Sequence, residues 1–182
     1  MRKLSVLTLL CFAVTTHAAE REIDLEAQVY PTGTIAAVGV KLPLGKDTRS
    51  ITLRAEYNDV DRDDNGDRDD EKGGGPGISV GWRAMLADAE RGWFASARAD
   101  LWFLEIDWID QPGTPGETRG TTDVIVLQPT GAVGYRKPFG KDRRWSFEPA
   151  ISLGVEWNVD TDGADVGQGL ILLVGATVSR RF

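Results

Sequence analysis

The sequence has one cysteine and one histidine, Cys11 and His17. Both lie within residues 1–18, which we predict to be cleaved as a secretory signal peptide. The remaining domain, residues 19–182, then has no thiol, no disulfide and no imidazole. This inventory excludes serine–histidine hydrolysis. Because nothing else assembles a nucleophile, a base and oxyanion donors, we predict no catalytic residues and no enzyme.

The signal-peptide prediction rests on three regions in order. Arg2 and Lys3 come first, an apolar run extends from Leu4 to Val14, and a small-residue exit ends at Ala18. The apolar run is too short for a membrane helix. After it, no apolar run reaches the roughly 18 residues that a spanning helix needs, which excludes a helical membrane protein.

Positive charge is also scarce. The chain has 21 Lys and Arg residues against 28 Asp and Glu residues, and removal of Arg2 and Lys3 with the signal changes its net charge from −7 to −9. Such acidity argues against nucleic acid as a partner. The length that remains suits a single domain.

What the domain has is apolar and polar residues in alternation. In residues 22–30, Ile23, Leu25, Ala27 and Val29 alternate with acidic and amide side chains. Alternation with period two predicts a strand with one apolar and one polar face. The same pattern predicts eight strands, at residues 22–30, 34–42, 50–58, 77–86, 93–104, 124–136, 145–158 and 170–182.

The connections between these strands alternate between short segments and long segments rich in Gly, Pro and Asp. This rhythm is typical of up-and-down antiparallel topology, and eight such strands close into a barrel without free edges. The fold class predicted is therefore an all-β, eight-stranded antiparallel up-and-down barrel. A barrel of this size has room in its lumen for its own side chains, which argues against a general diffusion pore.

The composition of the two faces indicates that the apolar face meets lipid, so that the barrel is transmembrane. The polar face mixes small residues with charges of both signs, which suits a narrow lumen filled by ion pairs. Aromatic residues of the apolar face collect near both strand ends, as expected where strands cross two membrane interfaces. The predicted lumen charges are Asp24, Glu26, Glu56, Asp100, Glu148 and Glu156 with Lys41, Arg54, Arg83, Arg98, Arg136 and Arg181.

The most acidic stretch, DVDRDDNGDRDDEKGGGPG at residues 59–77, is too polar to belong to a core. Within it, Asp61, Asp63, Asn65 and Asp67 match the first half of a calcium-loop pattern, with Gly66 at the turn, and are the candidate metal ligands. The twelfth position of the pattern, normally a bidentate glutamate, is Lys72 instead. The alternative is a solvated, flexible acidic loop. A weaker cluster, Asp160, Asp162 and Asp165, is expected to meet this stretch across the barrel rim, with divalent ions between them.

The chain ends on Phe182, directly after an alternating strand. In this pattern and end signal it resembles the small eight-stranded outer-membrane barrels of Gram-negative bacteria, the broad OmpA/OmpX-like class. The resemblance implies a monomer in the cell outer membrane, in contact with outer-membrane lipids and lipopolysaccharide, whose Phe182 is read by the barrel-assembly machinery. Arg180 departs from the pattern, because such end signals usually carry an aromatic or apolar residue there.

The function predicted is that of a non-enzymatic outer-membrane barrel with acidic extracellular loops, in envelope integrity or surface interaction. No cofactor is predicted apart from the calcium ion considered above. The carboxylates Glu148 and Glu156 are expected to belong to the lumen ion pairs rather than to an acid–base site. The alternative function is that of a soluble periplasmic or secreted barrel that binds an apolar ligand in its interior.

Overall fold

The computed structural model describes residues 21–45, 48–63, 67–87 and 90–182. They form a closed barrel of eight antiparallel strands, in which each strand pairs with the next and β8 pairs with β1. This confirms the predicted fold class. None of the described residues belongs to a helix able to cross a membrane. The strands are β1 (Glu22–Tyr30), β2 (Gly33–Pro43), β3 (Arg49–Asp61), β4 (Asp70–Met85), β5 (Gly92–Asp110), β6 (Thr118–Phe139), β7 (Trp145–Asp162) and β8 (Gly169–Arg181).

The predicted signal peptide lies outside the described residues and stays a prediction. The start of β1, the end of β8 and the connections β2–β3, β4–β5 and β6–β7 lie at one end of the barrel, here called the turn end. The connections β1–β2, β3–β4, β5–β6 and β7–β8 lie at the other, the loop end.

The strands are longer than predicted at the loop end. β5 has 19 residues and β6 has 22, whereas β1 has 9. Segments predicted as loops, such as residues 105–110 and 118–123, are paired strand. The barrel therefore has a tall wall, from β3 to β7, beside the short β1–β2 hairpin.

The polarity of the faces reverses partway along the tall wall. Phe103 of β5 points outward and is 46% exposed, whereas the next residue, Leu104, points inward and is 3% exposed. Beyond that point on β5, Ile106 lies inside and the charged Glu105 lies outside. The outer face therefore changes from one suited to lipid to one suited to water.

Between the turn end and the height of the reversal, large apolar side chains cover the outer face, as the alternation predicted. Aromatic residues border this band at both ends. Trp93, Trp145, Phe147 and Phe182 lie toward the turn end, and Tyr57, Phe103 and Trp157 toward the loop end. An apolar band between two aromatic girdles is the exterior of a transmembrane barrel.

Ion pairs fill the turn-end half of the lumen, which confirms the predicted network. Glu148 is its centre: its Oε2 lies 2.5 Å from Nη1 of Arg83, and its Oε1 lies 3.0 Å from Nη1 of Arg136. Lys41 joins it through Nζ, at 3.4 Å from Glu148 and 3.1 Å from Glu22. Glu22 belongs to the network although it was not among the predicted lumen charges.

A second group lies at mid-height. Arg98 binds the carboxylates of Glu26, at 2.9 Å, and Asp100, at 2.7 Å, and Arg54 lies 2.8 Å from Glu26. These side chains are nearly inaccessible to solvent. Arg181 was also predicted to lie in the lumen, but its side chain lies partly exposed at the turn-end opening of the barrel.

An apolar core fills the loop-end half of the lumen. Its centre is Trp102, which is fully buried and donates from Nε1 to Oε1 of Gln128 at 3.0 Å. The indole ring lies over Gly77 of the neighbouring strand, where a Cβ atom would stand 2.3 Å from the ring. The other members are Tyr30, Ile35, Val60, Leu104, Ile106, Val124, Val126, Val166, Ile171 and Leu173.

We expect Gly77→Ala to destabilise the barrel by about 1–3 kcal/mol, because the added methyl group overpacks against a ring that has no space to move. Gly131→Ala is the matched control, since a Cβ atom there meets nothing within 4 Å. Urea unfolding in lipid or detergent, followed by tryptophan fluorescence, measures both. Equal stability of the two variants would contradict the packing of Trp102 on Gly77.

Arg98→Leu should cost about 3–5 kcal/mol, because it leaves the carboxylate of Asp100 buried without its cation and leaves Glu26 with Arg54 alone. The control is Arg119→Leu, whose exposed ion pair with Glu117 should contribute little to the free energy of unfolding. The same unfolding measurement applies. If Arg98→Leu behaved like the control, Arg98 would lie in solvent and the assignment of the two faces would be wrong.

Candidate functional site

The loop end of the barrel is closed by the fully buried carboxylate of Glu71. It accepts hydrogen bonds from Nη1 of Arg62 at 3.1 Å, from the backbone N–H of Arg68 at 3.0 Å and from that of Gly167 at 3.0 Å. The expectation that residues 59–77 stay outside any core is therefore wrong for Glu71. Strand alternation turns it inward, and one cation with two backbone donors offsets the loss of water.

Residues 163–168, here called the strap, cross the opening above the apolar core. The backbone carbonyl of Val166 accepts from Nδ2 of Asn158 at 2.9 Å, and that of Ala164 accepts from Oγ1 of Thr122 at 2.9 Å. The Val166 side chain is 1% exposed and packs into the apolar core. The strap thus fastens the β7–β8 connection to the tall wall.

The two acidic segments predicted to meet across the rim do meet, through direct contacts. Arg68 donates from Nε to the backbone carbonyl of Asp165 at 3.2 Å and from Nη1 to Asp110 at 2.6 Å. Its guanidinium lies over the ring of Trp108, 4.8 Å from the centroid. One cation of the β3–β4 connection therefore contacts both the strap and the end of β5, and Asp69 accepts a hydrogen bond from the backbone N–H of Gln111 at 2.7 Å.

The lumen below this closure holds one described cavity of about 50 Å³, between the two groups of ion pairs. Charged side chains line it, among them Glu26, Arg54, Arg83, Arg98 and Glu148. Such a volume has room for roughly three or four water molecules. Glu156, at the upper end of the lumen, is bound by Arg62 at 3.3 Å, so it and Glu148 belong to separate ion pairs.

The structure brings together two of the four predicted metal ligands. Carboxylate oxygens of Asp61, Asp63 and Asp70 lie within 4.8 Å of one another. Asp67 is not part of this group, and Asn65 lies outside the described residues. Glu71, one position before the pattern's twelfth, points into the barrel and is already bound.

Lys72 supplies a cation to this cluster. Its Nζ lies 3.1 Å from Asp63, 3.4 Å from Asp70 and 3.7 Å from Asp61. The hydrogen bond between Lys72 and Asp63 lowers the pKa of the Asp63 carboxyl and raises the pKa of the Lys72 ammonium. A calcium ion at this position would have to displace the ammonium group. Calcium binding by Asp61, Asp63, Asn65 and Asp67 stays a prediction.

A second set of carboxylates forms a row around the outside of the tall wall. Glu105 pairs directly with Asp123 across β5 and β6, and Asp123 pairs with Asp162 across β6 and β7. On the other side, Gly74 separates Glu105 from Asp59 of β3. All four acidic residues point outward and are exposed. We call Asp59, Glu105, Asp123 and Asp162 the carboxylate row.

The position of the carboxylate row follows from the register. Glu105 and Asp59 lie two residues beyond the girdle aromatics Phe103 and Tyr57 on their own strands. In β7, a bulge between the pairs Val126–Asn158 and Ile125–Asp160 turns Asp162 outward. The row therefore stands at the edge of the apolar band, at the height of lipid headgroups.

The strands predicted from the sequence ended at residue 104 and began again at residue 124, so the position of Glu105 and Asp123 on the outer wall was missed. A signal was present, because alternation continues through Leu104, Glu105, Ile106 and Asp107 with the polarity of its faces reversed. That reversal marks where a strand leaves lipid and continues in water.

Comparison with known proteins relates the chain to others by fold. No protein-family model and no curated protein sequence matches it. The barrel is similar to a major outer membrane protein from Thermus thermophilus, with a TM-score of 0.58 and 13% identity over 91% of this chain and 100% of that one. Neisserial surface protein A has a TM-score of 0.49 and 10% identity over 90% of this chain and 96% of that one. The N-terminal β-barrel domain of Pseudomonas aeruginosa OprF has a TM-score of 0.48 and 11% identity over 88% of this chain and 97% of that one. The chain thus has the fold of a small eight-stranded outer-membrane β-barrel, and the resemblance drawn from its sequence is confirmed.

Proposed function

We propose that the protein is a non-enzymatic, monomeric component of the cell outer membrane that contributes to envelope integrity by binding lipopolysaccharide phosphates through divalent cations. The carboxylate row is the observation that carries this proposal. The loop end is then extracellular, and insertion through the barrel-assembly machinery, read from Phe182, is part of the same proposal.

The row is built to attract cations. Neighbouring strands lie about 4.8 Å apart, so the pairs Glu105–Asp123 and Asp123–Asp162 hold like charges directly opposite each other. Within the described part of the chain, no ion pair involves a carboxylate of the row. A divalent cation bound by the carboxylate oxygens relieves the repulsion between the acidic residues. It keeps further coordination positions that phosphate oxygens can occupy. The height of the row, at the edge of the apolar band, suits lipid phosphates.

The closed interior favours a surface role over transport. The ion pairs around Glu148 fill the turn-end half of the lumen, and the apolar core around Trp102 fills the loop-end half. Above them, Glu71 and Arg68 hold the strap and the loop-end connections together. Binding to such an ordered surface costs little conformational entropy.

We expect the variant Glu105→Gln with Asp123→Asn to lose the calcium-dependent part of its binding to vesicles that contain lipopolysaccharide. Flotation of refolded protein with calcium and with a chelator measures this. The matched control removes two exposed carboxylates at the turn end, by Glu90→Gln with Asp142→Asn, and should bind as the wild type does. Binding that ignores calcium, or an equal loss in the control, would contradict the proposal.

The calcium site at Asp61, Asp63, Asn65 and Asp67 is a separate proposal with its own test. Lys72→Gln should tighten calcium binding by roughly tenfold, because the ion no longer competes with an ammonium group among the carboxylates. Asp61→Asn with Asp63→Asn should abolish it. Isothermal titration with calcium measures the wild type and both variants, each also carrying Glu105→Gln with Asp123→Asn so that the carboxylate row does not contribute to the heat. No binding to Lys72→Gln would reject the site and leave the carboxylate row unaffected.

A further inference from the structure

Arg180, the residue that departs from the outer-membrane end signal, has a defined environment at the turn end. It points outward from β8 and is exposed. Its guanidinium lies over the ring of Trp145, 5.2 Å from the centroid, and over the ring of Phe182, 4.8 Å from the centroid. Two aromatic faces thus hold a planar cation at the edge of the lipid-facing band.

Two other cations share this edge. Lys137 points outward from β6, where it pairs with the girdle residue Phe147 of β7. Arg91 reaches up from the β4–β5 connection and donates from Nε to the hydroxyl of Tyr135 at 3.1 Å. Tyr135 in turn packs edge-to-face against Trp93, with centroids 5.5 Å apart. We call Arg91, Lys137 and Arg180 the basic belt.

The charges of the basic belt are not balanced by the acidic residues that the structure describes. Among residues 21–45, 48–63, 67–87 and 90–182, no ion pair involves Arg91, Lys137 or Arg180. The nearby acids serve other cations: Asp142 lies 3.7 Å from Arg144, and Glu90 lies 3.7 Å from Arg181. The belt therefore presents three cations that form no ion pair within the described part of the chain, and an anion from outside the chain can bind them.

We propose that the basic belt binds the phosphate group of an anionic phospholipid in the turn-end leaflet of the membrane. Arg180 and Lys137 flank β7 from the two neighbouring strands, level with Trp145 and Phe147 respectively, so their backbones lie about 12 Å apart. Their long side chains can converge on one headgroup in front of Trp145 and Phe147. The guanidinium fork suits phosphate oxygens, and the rings beneath it pack against the glycerol and acyl chains.

A phospholipid fits this surface better than other anions do. The belt lies on the outer face, where lipid covers the apolar residues around it, so the headgroups of that leaflet are at the same height. The proposal concerns the end opposite the carboxylate row and does not rest on the proposed function. It also explains Arg180, because an apolar residue at that position would stack on the same rings without holding a phosphate.

The test uses the refolded full barrel in vesicles of phosphatidylcholine that contain a minor fraction of phosphatidylglycerol. Native mass spectrometry after mild detergent extraction counts the lipids that stay bound. We expect the lipids bound to wild-type protein to be enriched in phosphatidylglycerol relative to the vesicle. In the variant Arg180→Gln with Lys137→Gln, this enrichment should fall about fivefold for each cation removed. Arg180→Lys should retain part of it, since the charge stays but the planar fork is lost.

The control is Lys72→Gln with Arg119→Gln, which removes two cations at the loop end and should leave the enrichment unchanged. If the double belt variant does not fold, two other measurements replace it. Lys137→Gln alone should reduce the enrichment, and high salt should reduce the enrichment of the wild type. The proposal is wrong if wild-type protein retains both lipids in proportion to the vesicle, if the belt variants keep the full enrichment, or if the control loses as much as they do.

Discussion

The structure depends on one constraint: the apolar face of the sheet points outward into lipid, so every polar side chain of the opposite face has to find its partner inside the lumen. A buried charge without a partner is strongly unfavourable, and a closed barrel offers no other place for it. Glu148 shows how the constraint is met, since its carboxylate is shared by Arg83, Arg136 and Lys41 from three other strands. The network pairs most of the charges in the turn-end half of the lumen and occupies most of its space, so the same residues that permit the barrel to span the membrane also narrow its interior.

The reversal of polarity between Phe103 and Leu104 shows where that constraint ends. Above this height the outer face meets water, apolar residues turn inward, and the barrel continues with an apolar core like that of a soluble protein. The tall wall, the strap and the carboxylate row all belong to this upper part.

The two ends differ in charge as well. The loop end carries outward carboxylates, whereas the turn end carries outward cations set among aromatic rings.

The sequence predicted the parts in which one pattern holds throughout. Strand number followed from period-two alternation, and the topology followed from the lengths of the connections. The direction of residues such as Leu25, Ile151 and Arg98 followed from the composition of the two faces. The prediction failed at the loop end because it took the apolar face to be the outer face everywhere and therefore ended each strand at the last outward apolar residue. Glu71 and Trp102 were missed for this reason. The bulge in β7 and the contact between Lys72 and three carboxylates depend on strand register, which a single sequence does not specify.

Electrophoretic mobility of the protein from outer-membrane fractions, with and without boiling in detergent, tests the central claim most directly. A closed barrel with an apolar exterior and a lumen filled by ion pairs resists detergent until it is heated. The account therefore predicts that unboiled and boiled protein migrate differently, and that Arg98→Leu lowers the temperature at which the shift occurs. Recovery of the protein in the soluble fraction, with one mobility at all temperatures, would contradict it, because the apolar face would then have to line the interior.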